Sequence, residues 1–448
     1  MGKSMSSNTS DSKGDRIKRN TFSAFVLACI ISAMIVNDLP IQSSLGTLGA
    51  SPIWIFSALF FFIIWVSNRF YLYPDKYSKL FLVYFIICSC ISFIQCIWYY
   101  LSTGTVLNTF SVSVLNKSIF ASSYYLVYFF TIYTVNFLSK FITKEFLIKL
   151  INFISTILIV IVCVEYINPN ILSGFHLSMD GYDVGTRLRL LSPEPSIAAF
   201  TFNMFLLTAI AFSRVKAFVI VLWIAMLGGN FLIGSKSALL LIMCGGILVF
   251  YFNMTFVQKI KYLILLIPIV IIIGFFAYYF VLPALIADID NFTSVSTRLI
   301  TSLWAICSLF YYPLGEGFGT YTVYFSLPLT NAINIAESVM PFSLNLSEIN
   351  AMINTGEYLT AKSGILFSII HSGIFTIAFY YLLFKYAFYD INTSNATYYQ
   401  KVILRIILWY TLLSILLAVN IEILYAFLLP FAVINFIKSN SITVIKND

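Results

Sequence analysis

Charge is scarce in this chain. Of 448 residues only 44 are charged, 26 basic and 18 acidic, and only two are histidine. Soluble domains carry roughly 25% charged residues, so a soluble globular enzyme is excluded. A charge-poor, apolar composition also excludes a disordered chain. Seven cysteines are present, none in Cys-x-x-Cys spacing. Six lie in apolar runs, so they read as packing residues rather than a disulfide or metal framework. The net charge of +8 is spread over short segments and is no nucleic-acid footprint, so no nucleic-acid partner is expected. What is abundant is hydrophobicity, at 60% of residues, with a mean hydropathy of +0.93. The apolar runs are long and continuous, unlike the alternation of a transmembrane barrel. The fold class expected is an all-α polytopic membrane protein.

A bilayer core about 30 Å thick takes roughly 20 apolar residues per helix. Twelve stretches qualify, near 21–36, 52–67, 80–99, 119–138, 146–167, 196–212, 217–233, 238–252, 262–282, 363–384, 403–419 and 422–437. The last two are separated only around Asn420 and Glu422, so a single bent helix is the alternative there. With both termini on the cytoplasmic side, 20 of the 26 basic residues fall on that side. The other side receives only Lys117, Arg187, Arg189, Lys236, Arg298 and Lys362, together with twelve of the 18 acidic residues. This is the positive-inside bias. The expected organisation is a polar cytoplasmic tail (1–20), nine spans (21–282) with an outer segment at 168–195, a large periplasmic loop (283–362), three further spans (363–437) and a short cytoplasmic tail (438–448). The first apolar stretch lacks a small-residue cleavage site and reads as a retained helix.

The polar residues with chemical interest collect on the outer side. Segment 168–195 ends in Arg187-Leu188-Arg189-Leu190-Leu191-Ser192-Pro193-Glu194-Pro195. If extended, Arg187 and Arg189 point to one side, and paired guanidiniums suit a phosphate or pyrophosphate. Glu194, between two prolines before a span, is either a helix-terminal carboxylate or a positioned base. Lys236 lies in the tight turn Gly234-Ser235-Lys236-Ser237 at a helix N-terminus, where an anion is favoured. In the large loop, Leu299, Leu303, Ile306 and Phe310 recur at helical spacing and predict an amphipathic helix over 296–312. It is expected to lie at the outer interface with Trp304 near the headgroups and Arg298 at its start. Next comes Pro313-Leu314-Gly315-Glu316-Gly317-Phe318-Gly319-Thr320-Tyr321. Glycines at Gly315, Gly317 and Gly319 allow either a bland tight loop or an anion nest of backbone N–H groups. His371 shares a helical face with Gly364 and Glu357 if one helix runs through all three. It then stands roughly 21 Å from Glu357 and reads as a packing or supporting histidine.

The order and spacing of these motifs, over roughly residues 180–385, resemble the bacterial O-antigen polymerase family, relatives of the O-antigen ligases. The resemblance implies an integral glycosyltransferase, independent of metal and cofactor, at the periplasmic face of the inner membrane. Its partner would be an undecaprenyl-pyrophosphate-linked oligosaccharide in membrane lipid, with a chain-length regulator as a further membrane partner. Arg187, Arg189 and Arg298 stand at or near the family's phosphate-binding arginines. Lys236 stands where relatives usually carry Arg; it keeps the charge and loses the bidentate fork. A histidine that ligases place before the segment matching Glu357-Tyr358 is missing, which leaves Glu357 or Glu194 as the base. The competing readings are a ligase-like transferase and a lipid-linked oligosaccharide flippase.

Overall fold

A computed structural model describes residues 13–42, 46–175, 188–213, 215–253, 257, 293–340, 344–356, 359–420 and 424–445. The expected span at 262–282 lies outside them. The first eight α-helices are α1 (Lys13–Ala33), α2 (Ile53–Ser67), α3 (Lys76–Thr103), α4 (Val114–Leu138), α5 (Lys144–Ile167), α6 (Pro195–Phe212), α7 (Lys216–Ile233) and α8 (Lys236–Asn253). After the undescribed stretch come α9 (Thr293–Tyr311), α10 (Tyr321–Tyr324), α11 (Ser326–Val339), α12 (Ser347–Thr355), α13 (Gly364–Ser372), α14 (Ile374–Thr393), α15 (Tyr398–Leu417) and α16 (Leu429–Ile445). No strand occurs among the described residues beyond one isolated bridge, Leu107 to Ser113. Among the described residues, seven helices are long and apolar enough to cross a membrane: α3, α4, α5, α6, α7, α14 and α15. Shorter apolar helices cover the expected spans near 21–36, 52–67, 238–252 and 422–437.

Local chemistry fixes the helix ends. Asp75 opens α3 by accepting the amides of Tyr77 at 2.8 Å and Ser78 at 3.3 Å. Thr397 and Gln400 close a reciprocal capping box on α15, which satisfies two otherwise orphaned groups. Gly104 and Gly234 end α3 and α7 in the left-handed conformation, the usual glycine stop. The last two expected spans are separate helices: α15 ends at Leu417, residues 418–420 and 424 are not helical, and Tyr425 opens the next helical turn.

α4 and α6 form the centre of the bundle, whereas α3, α5 and α7 turn long apolar faces outward, with Ile97, Phe153 and Ile224 all more than half exposed. Such faces in contact with water would be costly; against acyl chains they need no cover. Where apolar surface is everywhere, polar contacts specify the packing. Asn203 on α6 and Asn230 on α7 exchange amide hydrogen bonds at 2.9 and 2.6 Å, and Asn203 also donates to the Tyr410 hydroxyl on α15 at 3.1 Å. At one end of the bundle the fully buried Asp390 of α14 accepts from the Tyr77 hydroxyl at 2.8 Å and pairs with Lys76 and Lys438. That contact joins α3, α14 and α16.

The described part of the large loop, 293–340, 344–356 and 359–362, folds in a way the sequence does not show. α9 and α11 pack side by side as a helical hairpin. With α12 and α13 they enclose a second apolar core that includes Ile300, Trp304, Tyr321, Phe325, Met352 and Phe367. Trp304 is fully buried there, not at a headgroup boundary: α9 turns Ile300, Trp304 and Cys307 to protein, while Ile306 and Phe310 of the expected face stay exposed. The expected single span 363–384 is two helices, α13 and α14, which meet at Gly373 with φ +52°. The hairpin tip causes the break, as described next.

Candidate functional site

The end of the bundle opposite Asp390 carries the residues singled out above. Segment 188–196 runs along it. Leu188 and Leu190 are buried, while Arg189 between them is half-buried. Glu165, in the last turn of α5, accepts the amide N–H groups of Arg189 and Leu190, each at 2.8 Å. Glu194 then precedes α6. Its side chain is exposed and does not cap the helix; its Oε2 accepts from the Ser196 hydroxyl at 3.2 Å. A carboxylate so placed is open to an incoming hydroxyl. Arg187 lies outside the described residues.

Lys236 opens α8 directly after the left-handed turn at Gly234, so its backbone occupies the expected helix N-terminus. Arg298 lies in the second turn of α9 and donates from Nη1 to the Ala418 carbonyl at 3.1 Å, covering the C-terminus of α15. A guanidinium has five donors, so this contact leaves donors over for an anion. Beside it, the Thr297 hydroxyl donates to Glu348 Oε2 at 2.7 Å, and Lys362 pairs with Glu348 Oε1 at 3.1 Å. The Ser363 hydroxyl donates to the Ile415 carbonyl at 3.1 Å. Arg298, Glu348, Lys362 and the end of α15 thus form one polar cluster. Glu357 lies outside the described residues. It shares no helix with His371: α12 ends at Thr355 and α13 starts at Gly364.

The glycine segment faces the protein. The amide of Glu316 donates to the Ile370 carbonyl at 2.7 Å and that of Gly317 to the His371 carbonyl at 3.0 Å. The amide of Phe318 donates to Ser92 Oγ at 2.9 Å, in the interior of α3. The Gly315 amide bonds Tyr312 O at 2.8 Å. With these donors engaged, the segment is no open anion nest. Its glycines serve close approach: at Gly315, with φ +96°, a Cβ would run into the His371 carbonyl, and at Gly319 into the Val114 carbonyl. The tip therefore satisfies the last carbonyls of α13, which a helix end leaves orphaned, and stops that helix at Gly373.

This insertion creates a polar cluster that the sequence reading missed. Glu316 is fully buried, and neither carboxyl oxygen has a hydrogen-bond partner. Burial raises its carboxyl from the ordinary 4.5 to about 8; the Ser308 hydroxyl beside it, out of hydrogen-bonding geometry, holds part of that rise back. Trp304 Nε1 and both ring nitrogens of His371 are likewise unpartnered. The His371 ring packs against Phe367, Phe318 and Tyr321, with centroids 4.2, 4.9 and 5.2 Å away. Lys117 stacks its ammonium on the other partner, Tyr321, 4.9 Å from that ring centroid. His371 is thus held by packing rather than by a hydrogen bond. The motif Gly-Glu-Gly shows a carboxyl between glycines, but its burial depends on Ser92 and Ile370, far away in the chain.

Among the described residues the chain is all-helical, with seven helices long and apolar enough to cross a membrane, which is compatible with a polytopic membrane protein. No protein-family model matches the chain. It is similar to an uncharacterized 49.5 kDa protein in the cps region of Klebsiella pneumoniae, with 29% identity over 266 residues, or 57% of this chain. The chain spans about 60% of that relative's length.

Proposed function

We propose that the protein is a lipid-carrier glycosyltransferase that polymerises repeat units of a surface polysaccharide. The growing glycan moves from undecaprenyl pyrophosphate to the terminal sugar of a new lipid-linked unit, at the periplasmic face of the inner membrane. The carrying observation is that Arg189 and Arg298 lie at the same end of the bundle, the Arg189 backbone held by the Glu165 carboxylate and the Arg298 guanidinium by the Ala418 carbonyl. Two further features support it: the motif order that resembles the O-antigen polymerases, and a relative from a cps region, which is a capsule polysaccharide region. That relative extends the reading to capsule as well as O-antigen.

The chemistry asks little of the enzyme beyond placement. The acceptor hydroxyl attacks the anomeric carbon of the donor glycan and the bond from that carbon to the pyrophosphate oxygen breaks. The pyrophosphate leaves with the electron pair, and a carboxylate takes the hydroxyl proton. Arg187, Arg189, Arg298 and Lys236 hold the leaving pyrophosphate as charge develops on it. Glu194 and Glu357 are the candidate bases; Glu194 has the exposure that the role requires. The ordered loop shields the donor from water.

Purified protein is incubated with lipid-pyrophosphate-linked repeat units and scored for elongation without added metal. In cells, Arg187→Ala and Arg298→Ala are expected to abolish long chains while single units are still exported. A full-length ladder from both variants at normal expression refutes the assignment. One observation favours a second reading, a flippase for the same lipid-linked unit: Glu316 and His371 are buried beside the helix break at Gly373, and broken helices with ionisable groups mark transport sites. A deletion strain that accumulates units on the cytoplasmic side supports the flippase; accumulation on the outer side supports the polymerase.

A further inference from the structure

α5 ends on a carboxylate in an unfavourable place. Glu165 lies in the last turn, at the negative end of the helix dipole, and is only 4% exposed. A buried carboxylate requires compensation. Here it comes from two consecutive backbone amides, Arg189 N–H on Oε1 and Leu190 N–H on Oε2, each at 2.8 Å. The segment is fixed by further contacts. Leu188 and Leu190 are anchored in the main core, the Leu191 carbonyl accepts the Asn37 amide at 2.8 Å, and the Ser192 amide donates to the Arg189 carbonyl at 3.0 Å. Leu190 has φ +54°, a left-handed backbone that leucine adopts only where its surroundings hold it. Arg189 lies half-buried between the two buried leucines.

We propose that Glu165 is the positioning residue for Arg189: its carboxylate clamps the backbone on which the guanidinium is presented to a polyprenyl pyrophosphate. The proposal rests on the pyrophosphate reading above and deepens it. Glu165 itself touches no substrate. It fixes the direction from which Arg189 reaches the diphosphate, and bidentate recognition by a guanidinium is sensitive to direction.

The test uses the full chain in lipid nanodiscs and undecaprenyl pyrophosphate as the probe, with affinity and melting temperature measured side by side. Wild type binds and Arg189→Ala weakens binding. Glu165→Gln keeps the shape but has one acceptor oxygen, and turns an NH2 toward the other amide N–H. It is expected to weaken binding at least roughly tenfold, the scale seen when groups that orient a ligand-binding side chain are removed. The double variant Glu165→Gln/Arg189→Ala is expected to bind no worse than Arg189→Ala alone, because both act through one guanidinium. A Glu165→Gln protein that melts lower yet binds like wild type has lost a structural contact only, and that overturns the proposal, as do additive losses in the double variant. If Glu165→Gln does not fold, Glu165→Asp keeps the charge and loses reach; affinity between wild type and Arg189→Ala supports the clamp, and wild-type affinity overturns it. Failure of the underlying reading looks different: Arg189→Ala then binds as wild type does.

Discussion

Glu316 offers a quantitative test of the hairpin insertion. Its carboxyl is raised from 4.5 to about 8 by burial, so the folded protein binds that proton more tightly than the unfolded chain does. Linkage then fixes the sign. The full stability is present below about pH 4.5, erodes as pH rises, and the loss is complete above about pH 8. At about 1.4 kcal/mol per pH unit, the loss across this window is roughly 4–5 kcal/mol, and by pH 7 roughly 3 kcal/mol. For a chain of this size that corresponds to a fall in melting temperature on the order of 3–5 °C. Glu316→Gln keeps the volume and cannot ionise, so it removes this slope. The assay is thermal melting of both proteins in one detergent from pH 4.5 to 9. The difference between the two curves isolates Glu316 from every other titrating group. Wild type is expected to fall below Glu316→Gln progressively above pH 5. Parallel curves would show that the carboxyl is solvated and that the tip of the hairpin does not seat against α3 and α13.

Two further perturbations probe the packing. Asn203→Leu leaves the Asn230 amide without its reciprocal partner in the interior, at a cost of about 1–3 kcal/mol, whereas the paired change Asn203→Leu/Asn230→Leu recovers part of that loss; melting of the three variants checks it, and a double variant worse than the sum of both singles contradicts it. Asp390→Asn removes the carboxylate that Lys76 and Lys438 share, and because both lysine side chains are about a third exposed the cost is expected at about 2–4 kcal/mol; unchanged melting would mean that the cluster is surface decoration.

Helix positions were legible in the sequence because hydropathy alone decides them. The apolar runs from 80–99 through 238–252 each fall on an apolar helix. The break at Gly373 was not legible, since the run 363–384 is apolar throughout and only the carbonyl-to-amide contacts of Ile370 and His371 with the hairpin tip end the helix there. Trp304 was misplaced for the same reason. An amphipathic helix announces a buried face without saying whether lipid or α11 and α13 cover it. Among the site residues, Glu194, Lys236 and Arg298 occupy the helix termini that their local motifs require. Glu316 was passed over because its surroundings come from residues 54 to 226 positions away. In the sequence Glu165 is only a charge near the end of the apolar run 146–167; its partners on the backbone of Arg189 and Leu190 become visible in three dimensions alone.

The contact between the hairpin tip and the end of α13 also orders the biogenesis of the chain. Ser92 leaves the ribosome long before Phe318, and Ile370 and His371 follow Glu316 by more than fifty residues. While α13 is still unmade, the amides of Glu316 and Gly317 lack their acceptors, and the hairpin has no reason to seat. Only when the segment through Gly373 has been inserted are both halves of that contact present. The tip of the hairpin therefore seats only after the segment through Gly373 has been made. A nascent chain cut between 340 and 370 would leave the amides of Glu316 and Gly317 without the carbonyls that hold them in the finished fold.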